Sequence, residues 1–155
     1  MKLPLAAILA VSLFSSAHAA DVVVTISGIE PGKGQVKVGV CNTELSRKGC
    51  PLTGEADALA ESQTFIFEGL PEGSYGFNGY QDMNSNQDFD RNMIGIPQEP
   101  YALSGIAAEK TIPSFKDTLT PVFDGSDNQV GIRLQRFGDN KKKKSERSAS
   151  VSQRD

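Results

Sequence analysis

The chain of 155 residues carries 16 basic and 19 acidic side chains, 15 Gly, 8 Pro, 2 Cys, 1 His and no Trp. That length suits one domain, and 38% hydrophobic with 23% charged residues describes a turn-rich globular chain rather than a membrane-embedded or wholly disordered one. A formal charge of -3 gives no overall pull toward nucleic acid, and so few His and Cys leave little room for zinc, haem or triad chemistry.

The N-terminus predicts export. Lys2 precedes an apolar run from Leu3 to Phe14, interrupted only by Pro4 and Ser12, and Ser15-Ser16-Ala17-His18-Ala19 places small residues where signal peptidase reads. The run is shorter than the roughly 20 residues a membrane span needs, and no Cys follows it, so neither a transmembrane nor a lipoprotein anchor is expected. Residues 1–19 therefore read as a signal peptide cleaved after Ala19, which implies a periplasmic or secreted protein. Cleavage removes His18, the one histidine, and with it histidine-based acid–base, nucleophilic and metal-ligating chemistry. In that oxidising compartment Cys41 and Cys50 are expected to pair as a structural disulfide around the polar stretch Asn42–Gly49.

Residues 20–140 read as one β-sandwich. Val22, Val24 and Ile26 alternate on an opening strand, and a turn-rich segment from Gly28 to Gly34 leads to Val36, Val38 and Val40 on the next. Gly54–Ser62 has the composition of one or two helical turns. Phe65 and Phe67, then Tyr75, Phe77 and Gly79, predict two strands joined by a turn from Gly69 to Gly73. Tyr75 is expected in the core. Gln81 to Lys116 has little periodicity and is rich in Asn, Asp, Pro and Gly; such long connections in compact domains are usually functional or disordered. It is expected to be an ordered insertion anchored by Ile94, Ile96, Tyr101, Leu103, Ile106 and Phe115. Thr120–Phe123 and Val130, Ile132 and Leu134 predict two closing strands around Asp124–Asn128. Lys141–Asp155 opens with four lysines and has almost nothing to bury, so it reads as a disordered basic tail able to touch anionic surfaces, without nucleic-acid specificity.

Within the insertion, oxygen-bearing side chains recur at alternate positions: Asp82, Asn84, Asn86, Asp88 and Asp90. Calcium takes about 6–8 hard oxygen ligands, so these five are the candidate ligands, with Glu99 as a further one. A straight strand would space them about 6.8 Å apart, so convergence needs a turn, which Asn84 and Asn86 tolerate. Against the twelve-residue calcium loop, Asp82, Asn84, Asn86 and Asp90 match positions one, three, five and nine. Gln87 stands where glycine is expected and Met93 where a bidentate Glu is expected, which argues against a helix–loop–helix hand. The other reading of the same residues is an Asx-rich turn bonded to its own backbone. Catalysis by Asp82, Asp88, Asp90 or Glu99 would require two carboxyls set across a cleft.

Phe67–Tyr75, Gln81–Asn86 and Ile94–Ser104, taken together, resemble the bacterial exported family called domain of unknown function 2141. Leu70-Pro71-Glu72-Gly73-Ser74-Tyr75 is also similar to carboxypeptidase-regulatory and transthyretin-like modules. The resemblance implies an all-β, antiparallel, immunoglobulin-like or prealbumin-like β-sandwich with a long Asx-rich loop insertion, and brings no established activity. Where the family commonly has a His before the loop Asp, this chain has Gln81. The resulting expectation is an exported, non-enzymatic binding or accessory module for a protein or glycan, with a calcium-ordered loop. The alternatives are a carboxylate-based hydrolase acting on envelope or extracellular carbohydrate, and a structural envelope protein with a surface-binding tail.

Overall fold

The computed structural model describes residues 19–139; apart from Ala19, the expected signal peptide with His18 lies outside them, as does the tail Lys141–Asp155. The chain is all-β, in two facing sheets. The strands are β1 (Ala19–Ser27), β2 (Gln35–Cys41), β3 (Leu52–Asp57), β4 (Ser62–Pro71), β5 (Gly73–Asp82), β6 (Tyr101–Leu103), β7 (Leu119–Val122) and β8 (Asn128–Arg133). A 3-10 turn (Gly105–Glu109) and one short helix, α1 (Phe115–Thr118), fall between β6 and β7. No helix among the described residues is long and apolar enough to cross a membrane.

One sheet is three-stranded in the order β4-β1-β8, and the other is five-stranded, with β3-β2-β5-β6 in line and β7 also on β5. All pairings are antiparallel except β1 with β8, which is parallel. The core follows from alternation. Val22, Val24 and Ile26 of β1 and Val36, Val38 and Val40 of β2 are at most 2% exposed, and they meet Phe67, Phe77, Leu70, Val122 and Ile132 between the sheets. Tyr75 packs against this core and its hydroxyl donates to the Pro71 carbonyl at 2.9 Å. Both closing strands lie where alternation placed them.

Two local expectations are corrected. Gly54–Ser62 is not helical: β3 runs to Asp57, paired with β2 from Val40↔Leu52 to Gln35↔Asp57. Helix propensity loses to that ladder. Gly54 has a packing reason, since a Cβ there would stand 2.7 Å from the Phe65 ring. Ile94 and Ile106 do not anchor the insertion, being 80% and 61% exposed. The insertion is instead fastened by Ala102 and Ala107, both buried, by the half-buried Phe115 ring over Gly76, and by hydrogen bonds centred on Glu99.

Candidate functional site: two loops over the outer face of the five-stranded sheet

β5 carries the segment of interest. Its inward residues end at Gln81, whose side chain is fully buried and pins the β1–β2 turn: Oε1 accepts from Glu30 N, and Nε2 donates to the Glu30 and Lys33 carbonyls at 2.8 and 2.7 Å. Gln81 thus faces the interior, and its neighbour Asp82 begins the loop.

Asp82 is completely buried; its Oδ1 accepts from Asn86 N at 3.1 Å and its Oδ2 from Gln87 N at 2.8 Å. These bonds curl the chain through two left-handed residues, Ser85 (φ 57°) and Gln87 (φ 71°). Gln87 therefore adopts the geometry for which glycine is normally chosen, at a cost on the order of 1 kcal/mol or more. Asn84 Oδ1 accepts from Asn86 N, and Asn86 Oδ1 from Asp88 N, two successive Asx turns. The amides of Asn84 and Asn86 donate to the two oxygens of Asp90 at 2.8 and 2.9 Å. Glu99, 4% exposed, closes the loop by accepting from Met83 N at 2.8 Å and Asp90 N at 3.2 Å. Burial raises the pKa of Glu99, and the nearby Asp82 and Asp90 raise it further, against the lowering effect of its two backbone donors.

Asp82, Asn84, Asn86, Asp90 and Glu99 therefore form one connected network. Asp88 joins it only through its backbone N–H to Asn86; its carboxylate turns away, 3.6 Å from Arg47 of the disulfide loop. Met93 is fully exposed, so the twelfth loop position supplies no ligand, and the distant carboxylate is Glu99. Among the described residues no group of three or more acidic, Cys or His side chains is arranged to hold a metal ion, so a cation would also need oxygens from Asn84, Asn86 or the backbone. The donor set is compatible with that: a carboxylate has about four acceptor positions and an amide carbonyl two. Two N–H bonds per carboxylate and one per amide leave hard oxygen lone pairs free, the ligand type that calcium prefers.

Cys41 and Cys50 are joined in a disulfide, as the sequence predicts, with Cα atoms 3.7 Å apart. Asn42 N to the Gly49 carbonyl (2.9 Å) and Cys50 N to the Ser46 carbonyl (3.1 Å) shape the stapled loop, and Arg47 donates to the Gln87 carbonyl at 3.2 Å. Replacing both cysteines by Ala is expected to cost about 2.5–3 kcal/mol on the chain-entropy account for so small a ring. Urea denaturation checks this as a fall in midpoint.

The disulfide loop and the Asp/Asn loop flank a groove of about 580 Å³ on the outer face of β2, β3 and β5. Its floor includes Lys37, Asn78 and Tyr80, and its walls include Arg47, Glu55 and Phe89. The Tyr80 and Phe89 ring centroids are 5.1 Å apart, Phe89 meets Tyr101 edge-on at 6.2 Å, and the Arg47-independent cation Arg91 caps Phe89 at 4.7 Å. Burial, then the charges of Asp82 and Glu99, raise the Tyr80 phenol pKa above its ordinary value. Sequence reasoning found the loop but not this groove. The available signal was the polar side of the β2 and β5 alternation, which carries Lys37, Asn78 and Tyr80 outward.

Residues 24–130 match the family described as uncharacterized protein conserved in bacteria, DUF2141. The chain belongs to that family. The match spans β1 to β8 and so contains both loops and the whole groove. No curated protein and no solved structure matches the chain.

Proposed function

We propose that the chain is an exported, non-enzymatic β-sandwich binding module, and that calcium orders the Asp82–Glu99 loop forming one rim of its groove. The observation that carries this reading is the groove itself, held between two loops fixed in different ways. One loop is closed by a disulfide, the other by buried Asp82 and Glu99. Such preorganisation favours binding because little freedom remains to be lost. Within the loop, three carboxylates and two left-handed residues are held together at a cost that a bound cation would offset. Asp82, Asn84, Asn86 and Asp90 would hold the ion, with Glu99 behind them.

Catalysis is the weaker reading. The two carboxylates on the groove, Glu55 and Asp88, are 61% and 79% exposed and paired with Lys37 and Arg47. Neither sits in the apolar pocket that keeps a carboxyl protonated for general-acid work. Residues 19–139 contain no histidine.

Thermal unfolding with added calcium tests the ion. A ligand at one hundred times its dissociation constant adds about 2.7 kcal/mol, a rise of roughly 10 °C for a domain of this size. EDTA should reverse the rise. A melting temperature indifferent to millimolar calcium and to EDTA would remove calcium from the proposal.

A further inference from the structure

The geometry points to a short, uncharged oligosaccharide as the occupant of the groove between the two loops. This rests on the binding-module reading above and adds the ligand class.

The first argument is charge. Lys37 meets Glu55 at 2.8 Å, and Arg47 meets Asp88 at 3.6 Å while also donating to the Gln87 carbonyl. The groove thus presents two cations and two anions already in pairs. An anionic ligand would compete with Glu55 and Asp88 for their partners, and a cationic one with Lys37 and Arg47. A sugar hydroxyl both donates and accepts, so it can insert beside either pair without an uncompensated charge. The Arg47–Asp88 pair at the lip is solvent-exposed and weakly held, so re-partnering it costs little, and at the floor pair the Glu55 carboxylate is the accessible partner.

The second argument is the mixture of surfaces. Tyr80 and Phe89 are half-buried and offer aromatic surface, while Asn78, Glu55 and Arg47 offer planar hydrogen-bonding groups. A pyranose has the matching duality: an apolar face of C–H bonds and a rim of hydroxyls. Gly39 makes room for the Asn78 side chain on the floor, since a Cβ there would stand 2.6 Å from Asn78 Oδ1. At about 580 Å³ the groove lies within the roughly 300–1,000 Å³ range of small-ligand sites, with room for more than one sugar ring.

The third argument sets peptide aside. Strand addition runs along a sheet edge, whereas this groove lies over the sheet face, where β2 and β5 are paired on both sides; the edge at its border is that of β3. A peptide lying across the floor strands β2 and β5 would find no backbone ladder to join.

The test is a titration of the whole isotope-labelled protein by NMR, in calcium and in EDTA. The probes are cellotriose, maltotriose, xylotriose and triacetylchitotriose, with trigalacturonate as the charged comparison. At least one neutral trisaccharide is expected to give saturable shifts at Lys37–Gly39, Leu45–Cys50, Asn78–Tyr80 and Gln87–Phe89. Tyr80→Leu is expected to weaken that binding about tenfold, the loss of one ring-stacking contact. Asn78→Ala, whose parent side chain donates only a long 3.7 Å bond to Cys50 Sγ, gives a second variant should the first fold poorly. It too should weaken binding. Absence of shifts with every neutral sugar at about 10 mM, or tighter binding of trigalacturonate, would overturn the assignment. A random peptide pool shifting the same amides while the sugars do not would overturn the sugar and leave the binding module standing. If no probe of either kind moves groove residues, both fall. Release of shorter sugars would support the occupant and overturn the non-enzymatic reading.

Discussion

Gly34→Ala is expected to cost about 4 kcal/mol, among the larger single-residue losses a domain shows, because no relaxation of one side chain can relieve it. Gly34 has φ 62°, and a Cβ added there would lie 1.8 Å from the Asp82 carbonyl oxygen, 2.8 Å from its carbon and 3.0 Å from Met83 Cα. All three atoms are backbone. The β1–β2 turn would have to lift away from the end of β5, although Gln81 and the Ala58 N–H to Gly34 carbonyl bond both hold it down. Gly32→Ala is the matched control: its φ is 78° but nothing lies within 4 Å, so only the left-handed penalty of about 1 kcal/mol applies. Chemical denaturation of the two variants separates the clash from the conformational term. A difference below about 1 kcal/mol would mean that the turn yields freely.

Asp82→Ala is expected to cost about 3 kcal/mol and to loosen the loop more than the sandwich. Two hydrogen bonds to a carboxylate disappear, each worth about 1.5–3 kcal/mol, partly offset because a buried charge no longer needs desolvation. The Gln87 amide loses its acceptor while Gln87 stays left-handed, and the Asn86 amide keeps only its bond to Asn84 Oδ1. Asp82→Asn keeps one acceptor oxygen and should fall between the two. Hydrogen exchange should accelerate across residues 84–98 and stay slow in β1 and β2. Equal acceleration everywhere would show the loop and the sandwich to be one cooperative unit. The same variant should abolish any calcium-induced rise in melting temperature.

The strands were legible because apolar residues at every second position leave little choice of buried face, as in Val22, Val24 and Ile26. Gly54–Ser62 reads as helix because Ala and Glu favour helix locally, whereas the deciding partners, β2 and the Phe65 ring, lie outside that window. Ile94 and Ile106 are exposed because hydrophobicity alone does not decide which residue holds a loop; Glu99, a carboxylate reaching back to Met83 N, does much of that. The ligand candidates could be named from spacing, yet Asp88 turns to Arg47 in a loop about forty residues earlier, a contact local spacing does not encode. The groove was illegible for the same reason, its surface being drawn from separate stretches that only the sheet brings side by side.

The parallel pairing of β1 with β8 has a kinetic meaning. Asn128 donates to the Asp21 carbonyl across 107 positions of sequence, and Val22 is in register with Asn128 itself. β1 forms early in synthesis but gains its second neighbour only when the last strand arrives. Closure over so long a loop places folding in the slow, milliseconds-to-seconds range of β topologies. Until then one flank of β1 stays open, and the three-stranded sheet is incomplete until residues 128–133 have emerged.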